Sequence, residues 1–255
     1  MLIDSHCHLE YEGLVDDQPG VLARARAAGV GAFLNISTKR SEWEQVVATA
    51  EREPDVFASI GIHPHHADEH ADLSEHDLAT AAAHPRVIGL GETGLDYYYD
   101  RSDRVAQQRL FLRHIAVSRQ LRLPVIIHTR DAEDDTLAIL SNEMAEGAFS
   151  ALIHCFTASA EFGNAVLDLG LSISISGIAT FKNATDLADF AARIPEDRLL
   201  VETDSPFLAP VPHRGKPCEP AFVADTARFL AERRGVTSAA LAQATSANFY
   251  RLFSK

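Results

Sequence analysis

The chain has 255 residues, a length suited to one α/β barrel and ample for a full hydrophobic core. Its 23 Lys and Arg against 36 Asp and Glu give a formal charge of -13, which argues against a protein that tracks duplex phosphates over a broad surface. Hydrophobic residues make up 46%, nothing is low-complexity, and no apolar run approaches the ~20 residues of a membrane span.

In chain order, the first strand candidate, Leu2–Asp4, runs directly into Ser5-His6-Cys7-His8. That leaves no room for a signal peptide and favours the cytoplasm. The next candidates are Ala32–Ile36, Val56–Ile60 and Val87–Gly91, followed by Val125–Ile127, Ala151–Ile153, Leu171–Ile175 and Leu199–Val201. Helical stretches lie between them. Ser41 with Glu44 reads as a capping box, and Ser74 with Asp77 as a weaker version of it. Between Val105 and Leu121 the residues Leu110, Phe111, His114, Ile115, Val117 and Ser118 form a helical stripe. Eight strands alternating with helices, with no repeat or linker to mark a boundary, predict one domain over residues 1–255. They predict a closed (β/α)8, TIM-type barrel of the α/β class, with an open doubly wound sheet as the alternative.

Three cysteines, Cys7, Cys155 and Cys218, are an odd number without a CxxC pair, as expected in a reducing compartment. Strand alternation points Cys7 and Cys155 away from their histidine neighbours, into the packing behind each strand.

The polar residues fall where a barrel enzyme needs them. His6 and His8 end the first strand, His63 and His65 follow the third, and Glu92 ends the fourth where it enters a loop. His128 ends the fifth, His154 the sixth, and Asp204 follows the eighth. Barrel enzymes build their sites from the C-terminal ends of their strands, so closure brings this set to one mouth. His6-x-His8 places two imidazoles on one face, as two ligands to one ion require. Each of these residues alone has a plainer reading, as a hydrogen-bonded packing histidine or an exposed loop acid. Glu202 suits a deeper, orienting position. The remaining histidines, His66, His70, His76, His84, His114 and His213, read as solvated or structural.

Several segments together resemble the TatD family of metal-dependent deoxyribonucleases, relatives of the amidohydrolases. They are Ile3-Asp4-Ser5-His6-Cys7-His8, Gly61-Ile62-His63-Pro64-His65, Gly89 through Tyr97 and Pro124 through Arg130. They continue with His154-Cys155-Phe156-Thr157, Glu202 through Pro210 and Arg214-Gly215-Lys216, in family order along essentially the whole chain. Thr93 stands where the family usually has isoleucine, and Cys218 where asparagine is commoner. The resemblance implies one cation held by His6, His8 and Asp204 and a second by His128 and His154, with Glu92 touching both.

Two such cations share a water, lower its pKa and stabilise attacking and leaving oxygens. The expected nucleophile is therefore a metal-bound hydroxide, with Asp204 placed to orient the water and take its proton. Arg130, Lys216, His63 and His65 are candidates to hold substrate. The imidazole count suits Zn2+ or Mn2+ better than an all-oxygen Mg2+ site, although added Mg2+ can replace a weakly held ion. The expectation is a metal-dependent hydrolase, a 3′–5′ exonuclease of single-stranded DNA ends. Hydrolysis of another ester or amide bond is the alternative. Nothing in the chain marks a membrane or protein partner.

Overall fold

Eight parallel strands form the centre of the molecule, described over residues 1–254 in a computed structural model. They are β1 (Leu2–Cys7), β2 (Val30–Asn35), β3 (Val56–Ile60), β4 (Val87–Asp96), β5 (Val125–Arg130), β6 (Ala151–Ile153), β7 (Ser172–Ile175) and β8 (Leu199–Val201). They are hydrogen-bonded in chain order, each to its neighbour. Around them run α1 (Gln18–Ala27), α2 (Trp43–Arg52), α3 (Glu75–Ala82), α4 (Arg104–Leu121), α5 (Glu133–Glu146), α6 (Ala160–Asp168) and α7 (Thr185–Arg193), with α8 (Val223–Arg234) and α9 (Ser238–Leu252) after β8. The sheet curls into a nearly closed barrel, and the open-sheet alternative is set aside.

The β8–β1 seam closes differently from the other seven pairs. Its ladder consists of one parallel bridge, Cys7 with Ser205. Backbone bonds from His8 to the Ser205 carbonyl and from Asp204 to the His6 carbonyl, each 2.9 Å, complete the upper end. Asp4 lies across the same seam and accepts from the Thr203 amide at 2.9 Å and its hydroxyl at 2.6 Å. At the lower end α9 laces the two strands together: Ser246 donates to the Met1 carbonyl and Asn248 to that of Leu199.

The barrel interior holds Ile3, Ala32, Leu34, Ile88, Ile126, Leu152 and Leu200, closed from below by Phe249 of α9 and Phe253 just past its end. Burying a side chain such as Phe249 stabilises by about 1.5–3 kcal/mol. A second, larger cluster lies between the strands and the surrounding helices. The stripe expected on α4 is buried as read, from Leu110 to Ser118.

β3, β6 and β8 have the expected bounds, while β1, β4 and β5 run further, into the motifs. Glu92 therefore lies inside a strand rather than at the entry to a loop. Two glycines make this extension of β4 feasible. Gly91 (φ +148) and Gly94 (φ +132) press against β5, where a Cβ would lie 2.5 Å from the Ile126 carbonyl and would collide with that of His128. The Ser74 cap on α3 forms as read, accepting from the Asp77 amide. The Ser41 capping box does not. Residues Arg40–Glu42 make a 3₁₀ turn, and Glu42 instead accepts from the Thr38 amide and hydroxyl. Among the described residues no helix is long and apolar enough to cross a membrane.

Candidate metal centre

Strand alternation explains which side chains reach the mouth. Ile126, Leu152 and Leu200 point into the barrel core, so His128, His154 and Glu202, two residues further on, point into its upper end. His6, His8, His63, Glu92 and Asp204 arrive from β1, the turn after β3, β4 and the segment after β8.

On the β1/β8 side, the Nε2 atoms of His6 and His8 are 3.3 Å apart. Both lie 3.4–3.8 Å from Glu92 Oε2 and from Asp204 Oδ1. On the other side, Glu92 Oε1 lies 2.7 Å from His154 Nε2, 3.1 Å from His128 Nδ1 and 3.5 Å from His63 Nε2. Glu92 thus turns one oxygen to each half. His6 stacks on His154 at 3.9 Å across the boundary.

Behind these atoms stand further acceptors. His154 Nδ1 and the Cys155 amide donate to Glu202 Oε1 at 3.3 and 2.7 Å. His128 Nε2 donates to Asp96 Oδ2 at 3.0 Å, and His65 Nε2 to the same oxygen at 2.9 Å. His8 Nδ1 meets the Ile36 carbonyl at 3.3 Å.

Burial would raise the Glu92 carboxyl, but the charges of His154 and His63 and the hydrogen bond from His128 hold it well below the usual range. Asp204 is lowered in the same way, burial being overcome by His8 and His6. Burial depresses His63 and His6. It is outweighed at His154 by Glu92 and Glu202, at His128 by Asp96 and Glu92, and at His8 by Asp204, so these three rings are raised. Burial pushes Asp4 up to about 8, against the hydrogen bonds from Thr203.

This donor set fits divalent cations. The buried His154 Nε2 makes no hydrogen bond although a carboxylate oxygen is 2.7 Å away, and the adjacent His6 and His8 nitrogens face each other. Three groups of donors are close enough to ligate: His6 with His8 and Glu92, His63 with Glu92 and His128, and His6 with His154 and Glu202. Imidazole nitrogens and carboxylate oxygens are the donors that zinc and similar ions take.

The structure brings His6, His8, His63, Glu92, His128, His154 and Asp204 together and places His65 and Arg130 on the wall of the same cavity, of about 710 Å³. Lys216 lies on an exposed turn and does not line it. Cys7 is packed behind β1 as read. Cys155 is not packed behind β6: that strand ends at Ile153, and Cys155 turns through φ +43, lines the cavity and sets its Sγ 3.2 Å from Ser176 Oγ. Sequence reasoning missed the work of Asp96 and Asp4. The strand-end position of Asp96 two residues after Gly94 was the available signal; for Asp4 a register shift within β1 erased it.

Imidazoles and carboxylates gathered at the mouth of a parallel eight-stranded barrel define a metal-dependent hydrolase of the TIM-barrel type. The profile of the family described as TatD related DNase matches residues 3–254, and the chain belongs to the TatD family. It is 48% identical over 255 residues to the uncharacterized metal-dependent hydrolase YcfH of Escherichia coli strain K12, covering 99% of this chain and 95% of that one. It is 34% identical to a protein of Pectobacterium parmentieri named 3′-5′ ssDNA/RNA exonuclease TatD, with 99% of each covered. The crystal structure of YjjV, a TatD homologue from Escherichia coli K12, superposes with a TM-score of 0.93 at 30% identity, covering 100% of this chain and 98% of that one.

Proposed function

We propose that this protein is a two-cation 3′–5′ exonuclease of single-stranded DNA. The observation that carries the reading is Glu92, whose two oxygens face two separate sets of donors at the floor of one open cavity. The polarity and the nucleic-acid substrate draw on the name of the Pectobacterium relative. His6, His8 and Asp204 would hold one cation and His63, His128 and His154 the other, with Glu92 between them. Cations bound there would lower the pKa of water and stabilise charge on the phosphoryl oxygens.

The protein's own groups do the rest. Asp204, ionised and at the cavity wall, orients the attacking water and accepts its proton. Arg130 and His65 hold the phosphate. A single-strand end fits a barrel mouth that a stacked duplex does not enter. The charge of -13 keeps the rest of a polyanion away. That charge also favours a second reading, hydrolysis of a small ester or amide. The three unpaired cysteines support a cytoplasmic location.

The test uses 5′-labelled oligonucleotides, single-stranded and blunt duplex, with Mn2+ or Zn2+ supplied. A ladder shortening from the 3′ side, slower on the duplex, is expected. Equal cutting of both forms, or nicking of a closed circle, overturns the exonuclease reading; turnover confined to small esters or amides favours the second.

A further inference from the structure

Beside the cavity, after β4, is a run of three tyrosines, each under a guanidinium. Arg104 lies 4.1 Å from the Tyr97 ring centre, and Arg130 4.0 Å from Tyr98 and 4.8 Å from Tyr99. Arg101 lies 5.2 Å from Tyr99. Tyr98 and Tyr99 meet edge to face at 4.9 Å and remain 56% and 47% exposed. Both backbone amides donate to Asp96 Oδ1, so the run is fixed to the carboxylate that also receives His65 and His128.

Tyr99, Arg101 and Arg130 line the cavity. Among the described residues neither Arg101 nor Arg130 has an ion pair, in a chain with 36 acids to 23 bases. A ladder that only stiffened the loop would not need open rings and unpaired guanidiniums at the cavity edge. Flat π faces beside unneutralised guanidiniums match a ligand that joins a flat base to a phosphate.

We infer that Tyr99, Arg130 and Arg101 form a nucleotide subsite, in which a base next to the scissile bond stacks on Tyr99 and its phosphate is held by the two arginines. This deepens the nuclease reading and rests on it. It makes the base, and not the sugar-phosphate chain alone, part of what the enzyme recognises.

The experiment compares a 5′-fluorescein single strand carrying normal nucleotides with one whose last three residues are abasic. Binding is followed by anisotropy on phosphorothioate-blocked versions, and KM and kcat on cleavable ones with Mn2+ supplied. Tyr99→Ala is expected to raise both Kd and KM on the normal strand about tenfold, with kcat little changed and Tyr99→Phe close to wild type. The abasic end should cost wild type a similar factor and Tyr99→Ala nothing further. Arg130→Gln should weaken both strands alike. If wild type shortens DNA while Tyr99→Ala and the abasic end each stay within about twofold, the subsite is overturned. If the strand binds with the Tyr99 dependence but is never shortened, the exonuclease reading falls alone; if it neither binds nor is shortened, both fall.

Discussion

The two halves of the proposed metal centre hold their histidines in opposite ways. On the β1/β8 side the carboxylate stands in front, Asp204 sharing the space of the His6 and His8 nitrogens, while His8 is backed only by a backbone carbonyl. On the β3/β5/β6 side the carboxylates stand behind, Asp96 under His128 and Glu202 under His154. The imidazoles of the first half are the drier, His6 and His8 at 0% and 4% exposed against 12% and 18% for His63 and His128, while His154 is 3% and Asp204 15% exposed. A carboxylate behind an imidazole makes it a better donor without entering the coordination sphere. The more open half thus gains charge while leaving room for substrate, and the closed half keeps its acid at the reacting end.

The largest expected effect falls on the group the halves share. Glu92→Gln should lower kcat roughly a thousandfold with little change in thermal unfolding; near-normal turnover would mean that another group joins the two halves. Next, the halves should separate. Calorimetric titration with Mn2+ should find about two sites per wild-type chain, with Asp204→Asn weakening one and His128→Gln the other. A single site at saturation in the wild type would break the comparison outright. Asp96→Asn should weaken only the His128 site, by about 10- to 100-fold, measured in the same titration. An equal effect on both sites would show that Asp96 supports the barrel mouth as a whole.

A separate effect, on stability rather than metal affinity, concerns how the open half is anchored. His114 is buried beneath it, donating to the Leu110 carbonyl and accepting from the Ile62 amide just before His63. Burial pushes its ring down to about 4, the bond to Leu110 opposing. Between pH 6.5 and about 4 the unfolded chain binds a proton that the folded chain refuses, so this contribution to stability is lost as pH falls. His114→Gln should remove it, making the fall in unfolding free energy from pH 7 to pH 4 smaller by ~3 kcal/mol. Urea titrations at several pH values check this; an unchanged pH slope would show that His114 titrates freely.

Strand positions were legible because short apolar runs between helical stretches have few other solutions, and the ligand-type residues were legible because they end those runs. What the linear pattern did not carry was contact between distant strands. Glu92 was placed where the fourth strand enters a loop, whereas Gly91 and Gly94 let β4 run on past it in close approach to β5. His63 was read as a substrate group, and the turn after β3 brings it 3.5 Å from Glu92, beside the candidate metal donors. Ser41 carries the composition of a cap, but Arg40–Glu42 form a 3₁₀ turn in which Glu42 accepts from Thr38, and the box with Glu44 does not form. Asp96 pairs with two histidines from other strands, a relation no local window contains.

The seam between β8 and β1 has a consequence in time. His6 and His8 are synthesised long before Asp204, Ser205 and the α9 residues that lace the seam. A nascent chain paused before that point carries two bare imidazoles at an unsealed edge and lacks the Asp204 carboxylate that completes their donor set. Hydrolytic capacity therefore arrives late in synthesis, when the barrel closes, and a chain stopped short of the seam stays inert.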